Sequence, residues 1–130
     1  MQQGIRVFLV DDHEMAREGL RRMLELESDI QVVGEAAGAE EALLQVEMLT
    51  PDVILMDIKM PTLNGLEATH LFKERNVAAE IVIPSLHSEY LAQAVEAGAA
   101  GYLVKDVKRD ELVDAIRRIH QGELVLGRSV

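Results

Sequence analysis

Val7-Phe-Leu-Val10 runs directly into Asp11-Asp12, and behind the acids Ala16, Gly19, Leu20, Met23 and Leu24 keep the i, i+3, i+4, i+7, i+8 spacing of an amphipathic helix. A short, β-branched-rich apolar run without alternation marks a strand covered on both faces. This stretch therefore reads as strand, acidic turn, helix. The same unit recurs outward from it: Gln31-Val-Val33, Val53-Ile-Leu-Met56, Ile81-Val-Ile83 and Gly101-Tyr-Leu-Val104 are four more runs of this kind. Ala39, Ala42, Leu43, Val46 and Leu49 predict a second helix. Asn64, with Glu67 at the capping-box position, predicts a third that runs to about Arg75. Leu91, Ala94 and Val95 mark a shorter helix closed at Gly98, and Leu112, Val113, Ile116 and Ile119 mark a last one closed at Gly122. Strict strand–helix alternation with short loops implies right-handed crossovers and a parallel sheet with helices on both faces. Five units are too few for an eightfold barrel, which leaves an open, doubly wound α/β sheet.

Composition agrees with one compact domain. The chain has 130 residues, of which 48% are hydrophobic, and its net charge is −10. That charge disfavours contact with DNA or an anionic membrane. With no cysteine, thiol nucleophiles, disulfides and thiolate metal sites are excluded, and only oxygen and imidazole ligands remain. The start of the chain lacks the pattern of a signal peptide and no run reaches membrane-spanning length, so a cytoplasmic protein is expected. Glu123-Leu-Val-Leu-Gly-Arg-Ser-Val130 is too short for another unit and reads as the start of a linker.

An open parallel sheet binds ligands at the carboxyl ends of its strands. There the first strand carries Asp11-Asp12, the third Asp57, the fourth Ser85 and the fifth Lys105. Three converging carboxylates repel one another unless a cation shares the site. Magnesium suits a site with one or two protein carboxylates and an incoming phosphate. Lys105 offers a point charge and Ser85 a hydroxyl for an oxygen of that group. Taken singly, each residue has a plainer reading: Asp12 as a helix cap, Ser85 and Lys105-Asp106 as turn formers. The convergence of all of them at one edge favours function.

Val7-Phe-Leu-Val-Asp-Asp12, Val53-Ile-Leu-Met-Asp-Ile-Lys-Met-Pro61 followed by Asn64-Gly65, Ser85, and Ala97-Gly-Ala-Ala-Gly-Tyr-Leu-Val-Lys105 resemble the receiver domain of bacterial two-component response regulators. The resemblance covers about Ile5 to Gly122. It places a receiver over residues 1–122 and the start of a linker to an absent output domain over 123–130, and it implies a flavodoxin-like strand order of 2-1-3-4-5. Asp11-Asp-His-Glu, Gln31-Val-Val-Gly-Glu-Ala36 and Gly101-Tyr-Leu-Val-Lys-Asp106 are most similar to the NarL/FixJ branch, whose members usually carry a helix-turn-helix DNA-binding domain after the receiver.

The resemblance implies a mechanism. Asp57 is expected to accept a phosphoryl group from a sensor histidine kinase or a small acyl phosphate. Asp12, Asp57 and the main-chain carbonyl of Lys59 would coordinate Mg2+, with Asp11 acting through a bound water. Ser85 and Lys105 would bind the phosphoryl oxygens, and Tyr102 would be the aromatic switch that follows Ser85 inward. The face that changes would run from about Glu89 to Gln121, comprising the fourth helix, fifth strand and fifth helix, and would be where a partner or a second copy docks. Lys59 and His87, two positions beyond Asp57 and Ser85, are expected to tune the phosphoryl lifetime. The chain would be a signalling domain rather than an enzyme, its only chemistry self-catalysed phosphoryl transfer and autodephosphorylation, its output transcriptional through the absent DNA-binding domain.

Two features depart from the pattern. Pro84 removes a ladder donor from an internal strand and could end it early, displacing Ser85; Asp106 stands where many receivers have proline. His13 reads as the start of the first helix, His70 and His120 as surface residues, and the six methionines as core filler. A haloacid-dehalogenase-like phosphatase would carry its acids two apart on the first strand, and a flavodoxin would need a hydroxyl- and glycine-rich phosphate loop there. A stand-alone receiver or phosphorelay intermediate, and a receiver-like module that is never phosphorylated, remain as alternative roles.

Overall fold

The computed structural model describes residues 4–85, 89–104 and 109–126. Its elements alternate as β1 (Ile5–Val10), α1 (Glu14–Glu25), β2 (Ile30–Ala36), α2 (Ala39–Leu49), β3 (Val53–Met56), α3 (Gly65–Glu74), β4 (Glu80–Ser85), α4 (Leu91–Ala97), β5 (Gly101–Val104), α5 (Arg109–His120) and β6 (Val125–Leu126). All strand pairs are parallel, in the order β2-β1-β3-β4-β5-β6. The expected order 2-1-3-4-5 is present. The expected count of five strands is corrected to six, because Val125–Leu126 pairs with Gly101–Tyr102 at the β5 edge. Gly122 turns the chain at φ 100°, and the Val125 N–H reaches the Ala100 carbonyl at 3.0 Å. Part of the segment expected to be linker is thus bound to the sheet.

The apolar strands form two cores because successive side chains point to opposite faces. Phe8, Val10, Ile54, Met56, Ile81 and Ile83 pack under α2, α3 and α4. Val7, Leu9, Val53, Leu55 and Val82 pack under α1 and α5. Full burial of each such side chain stabilises by roughly 1.5–3 kcal/mol, so a one-residue slip of a strand would exchange two filled faces.

Pro84 does not end β4. The Glu80 N–H donates to Asp52 O on the β3 side at 3.0 Å, while Ile81 O accepts from Ala100 N on the β5 side at 2.9 Å. By alternation Pro84 also faces β3, and the β3–β4 ladder has already stopped at Leu55↔Val82. The next rung on that side would need the N–H that Pro84 lacks, so the proline ends pairing with β3 alone. On the other side pairing runs unbroken to Ser85↔Val104, so Ser85 is held at the strand end.

Candidate functional site

The carboxyl edge of the sheet is built by continuing the ladders one residue past the strands. Asp57 N–H donates to Val10 O at 2.9 Å, and Asp11 N–H donates to Ala36 O at 3.1 Å. Both acids are thereby fixed by main chain. Asp11 is 5% exposed, Asp57 7% and Ser85 3%. Asp11 Oδ1 also accepts the His13 N–H at 2.9 Å, which closes the turn into α1.

Asp11, Asp12, His13 and Asp57 each bring a ligand atom to within 4.8 Å of the others. Two like charges about 4 Å apart repel by about 4 kcal/mol at the effective dielectric of a protein surface, so the cluster favours a bound cation. One atom tests the fit. Asp12 Oδ1 is buried without a hydrogen bond, although His13 Nδ1 lies 3.0 Å away outside hydrogen-bonding alignment. An orphaned carboxylate oxygen beside two buried carboxylates is a donor set for a hard, oxygen-preferring dication such as magnesium. Lys59, exposed, stands in the β3–α3 loop beside this edge.

That loop is shaped by Asn64-Gly65. Asn64 Oδ1 accepts the Glu67 N–H at 2.8 Å while Glu67 Oε1 accepts the Asn64 N–H at 3.0 Å, the capping box that the sequence predicts. Gly65 N–H donates to Ile58 O at 2.7 Å. A Cβ at Gly65 would lie 2.2 Å from the Asp57 carbonyl oxygen. Only glycine lets the start of α3 close over the main chain of Asp57.

The remaining expected residues fall as follows. Tyr102 is 1% exposed, packed in the core under α2, α3 and α4, so this structure holds the ring inward. His13 caps α1 without a side-chain cap bond. It does start the helix, but its ring also joins the acidic cluster, 3.2 Å from Asp11 Oδ1. Its place beside Asp12 was the only sequence signal for that. Lys105 and His87 lie outside the described residues. A cleft of about 480 Å³ lined by Thr50, Asp52, Arg75, Glu80 and His120 lies at the opposite, amino-terminal edge of the strands, away from the acids and from the edge where open sheets bind ligands. Among the described residues no helix is long and apolar enough to cross a membrane.

A parallel 2-1-3-4-5 sheet with an acid pair after β1 and a buried aspartate after β3 defines a class, and residues 7–117 match the family model of the response regulator receiver domain. The chain belongs to that family, whose members are signalling domains. It is 37% identical over 131 residues to the nitrate/nitrite response regulator protein NarL of Escherichia coli, covering 99% of this chain and 61% of that one. It is 38% identical over 123 residues to the transcriptional regulatory protein DegU of Brevibacillus brevis, covering 93% and 52%. The crystal structure of a LuxR-family two-component response regulator from Aurantimonas superposes with a TM-score of 0.89 at 41% identity, covering 95% of this chain and 89% of that one. The chain spans between half and two thirds of the length of these two curated relatives.

Proposed function

We propose that this chain is a phosphorylation-dependent receiver, working in the cytoplasm, in which Asp57 accepts a phosphoryl group from a sensor histidine kinase. An Asp57 carboxylate oxygen attacks phosphorus as the bond to the donor imidazole nitrogen, or to the oxygen of a small acyl phosphate, breaks. The product is a mixed anhydride. Asp12, Asp57 and the Lys59 carbonyl are the groups that would hold Mg2+, with Asp11 assisting through water. The cation supplies charge neutralisation for the transferring group. In-line placement and charge stabilisation suffice for such a transfer, so the buried Asp57 needs no general base. Lys105 and Ser85 then bind phosphoryl oxygens, each bond to a charged group contributing roughly 1.5–3 kcal/mol. Full inversion of a two-state switch needs about 5.5 kcal/mol of differential interaction, which two or three such bonds supply. Tyr102 and the 89–121 face carry the change to a partner or second copy. Water returns the domain to its resting state by hydrolysing the anhydride, at a rate tuned by Lys59 and His87.

The carrying observation is the meeting of Asp57 with Asp11, Asp12 and His13 within 4.8 Å, with Asp12 Oδ1 orphaned among them. For the output we propose transcriptional control through a DNA-binding helix-turn-helix domain following the receiver. Support comes from the similarity to NarL and DegU and from the fraction of their length that this chain spans. The receiver itself, at net charge −10, makes no nucleic-acid contact. The test is thermal: beryllofluoride with magnesium, a phosphoryl mimic, raises the melting midpoint of the parent and leaves Asp57→Ala unmoved. An equal shift in both, or none in either, removes Asp57 from the role.

A further inference from the structure

The contacts that hold the acidic turn reach back to two residues outside it. Arg17 lies one turn into α1, its side chain 15% exposed. Its Nη1 donates to the main-chain carbonyl of Asp11 at 2.6 Å, and its Nε donates to Glu35 Oε1 at 2.8 Å. Glu35 stands on β2, and its second carboxylate oxygen accepts from Arg21 Nη2. The Asp11 N–H is bound to Ala36 O, also on β2. Asp11 is therefore fixed at both ends of its main chain to the same neighbouring strand, directly at one end and through Arg17 at the other.

The Asp11 carbonyl belongs to the rigid peptide plane that joins Asp11 to Asp12. Turning that plane swings Asp12 about its Cα and moves its carboxylate. We propose that Arg17, anchored by Glu35, is a positioning residue for the divalent cation: it locks the Asp11–Asp12 peptide and so aims the Asp12 carboxylate. This rests on the acidic cluster being the cation site and extends that site to Arg17 and Glu35. Two observations separate the role from a plain helix-to-strand tie. A tie needs only the Arg17–Glu35 pair, whereas here the guanidinium fork is split between that carboxylate and the carbonyl of the turn, a division for which a planar, rigid fork is suited and an ammonium is not. Asp12 Oδ1 has no hydrogen bond of its own and its nearest charged neighbour is the exposed His13 ring, 3.0 Å away, so the main chain is the firmer of the two constraints on its direction.

Manganese, which shares magnesium's preference for oxygen ligands, reports binding directly through the EPR signal of the free ion. Loss of a partner that orients a metal ligand typically costs roughly 10–100-fold in affinity. Arg17→Ala and Arg17→Lys should each weaken manganese binding by about tenfold or more, and Glu35→Gln should weaken it in the same direction. Arg22→Ala, which removes a solvent-side pair with Glu18, should change nothing. In acetyl phosphate labelling, Arg17→Lys should raise the half-saturating magnesium concentration while reaching the parent's plateau rate, a split that simple loss of stability does not produce. Folded Arg17→Lys and Glu35→Gln proteins that bind manganese as the parent does would overturn the proposal, and these two variants carry the test if Arg17→Ala does not fold. If parent binding survives Asp12→Ala with Asp57→Asn, the cation site itself is misread and the proposal falls with it. If binding needs those carboxylates but ignores Arg17, the positioning role alone is refuted.

Discussion

Gly65→Ala is the sharpest test of how the Asp57 loop is held. The added Cβ would lie 2.2 Å from Asp57 O, 2.9 Å from Asp57 C and 2.9 Å from Ile58 Cα. All three are main-chain atoms, so no side chain can swing aside. Ordinary contact begins near 3.4 Å, and the loop or the start of α3 must therefore move by about 1 Å. Such overpacking costs about 1–3 kcal/mol. The Gly65 N–H bond to Ile58 O, 2.7 Å long, is strained by the same movement, at about 1 kcal/mol. Alanine's better helix propensity returns about 0.5–1 kcal/mol. The net is a loss of about 2 kcal/mol, which for a domain of this size lowers the melting midpoint by about 8 °C. Gly19→Ala is the matched control, since Gly19 lies within α1 and a Cβ there meets nothing within 4 Å. It should stabilise by up to about 1 kcal/mol. Calorimetry of both variants checks the pair, and acetyl phosphate labelling of Gly65→Ala should be slowed because the displaced carbonyl is Asp57's own. Equal stability for the two alanine variants would refute the steric argument.

Asn64→Ala removes the side-chain half of the capping box, the bond that Asn64 Oδ1 accepts from the Glu67 N–H, while the main-chain N–H of residue 64 can still donate to Glu67, and should cost about 0.5–2 kcal/mol in urea unfolding. Asp29 provides a pH test. Its carboxyl is held below the usual aspartate value chiefly by the hydrogen bond from Arg117, with contacts at 2.8 and 2.7 Å. A lowered folded pKa gives stability that is present above the unfolded value and lost as pH falls through the folded one. Arg117→Gln should therefore be less stable than the parent at pH 7, and the difference should shrink as pH falls below Asp29's ordinary value of 3.8. A pH-independent difference in the melting midpoint would assign the effect to packing instead. Pro84→Ala restores the N–H for one further rung toward β3, worth about 0.5–1.5 kcal/mol, against about 0.4–1 kcal/mol lost with the proline's rigidity, so its urea midpoint should stay close to the parent's.

Much of this was legible because the sheet is buried on both faces. Continuous apolar runs such as Val53–Met56, alternating with helical periods, fit central strands of a parallel sheet, and the rule for ligands at strand ends then singles out Asp11, Asp12 and Asp57 before any geometry is known. What escaped the sequence has physical causes. A two-residue strand such as Val125–Leu126 is too short to show a period, and its pairing depends on where α5 delivers the chain. β2 runs on through Gly34, Glu35 and Ala36, where polarity and glycine ordinarily signal a strand's end. Gly34 is there because a Cβ would strike the Phe8 ring at 2.8 Å, and Glu35 because two arginines of α1 meet it. Nothing local to the sequence pairs Arg17 with a carbonyl six residues behind it. The sequence marks His13 as a helix start, which its main chain provides by closing the turn on Asp11, and only the fold shows that its ring also faces the acids.

The most direct test of the central claim is intact mass after incubation with acetyl phosphate, with and without magnesium, for the parent and Asp57→Ala. A single phosphoryl gain that requires magnesium and disappears in the variant is the predicted result. A gain that persists without Asp57, or no gain at any magnesium concentration, would contradict the assignment of this cluster as a phosphoryl acceptor.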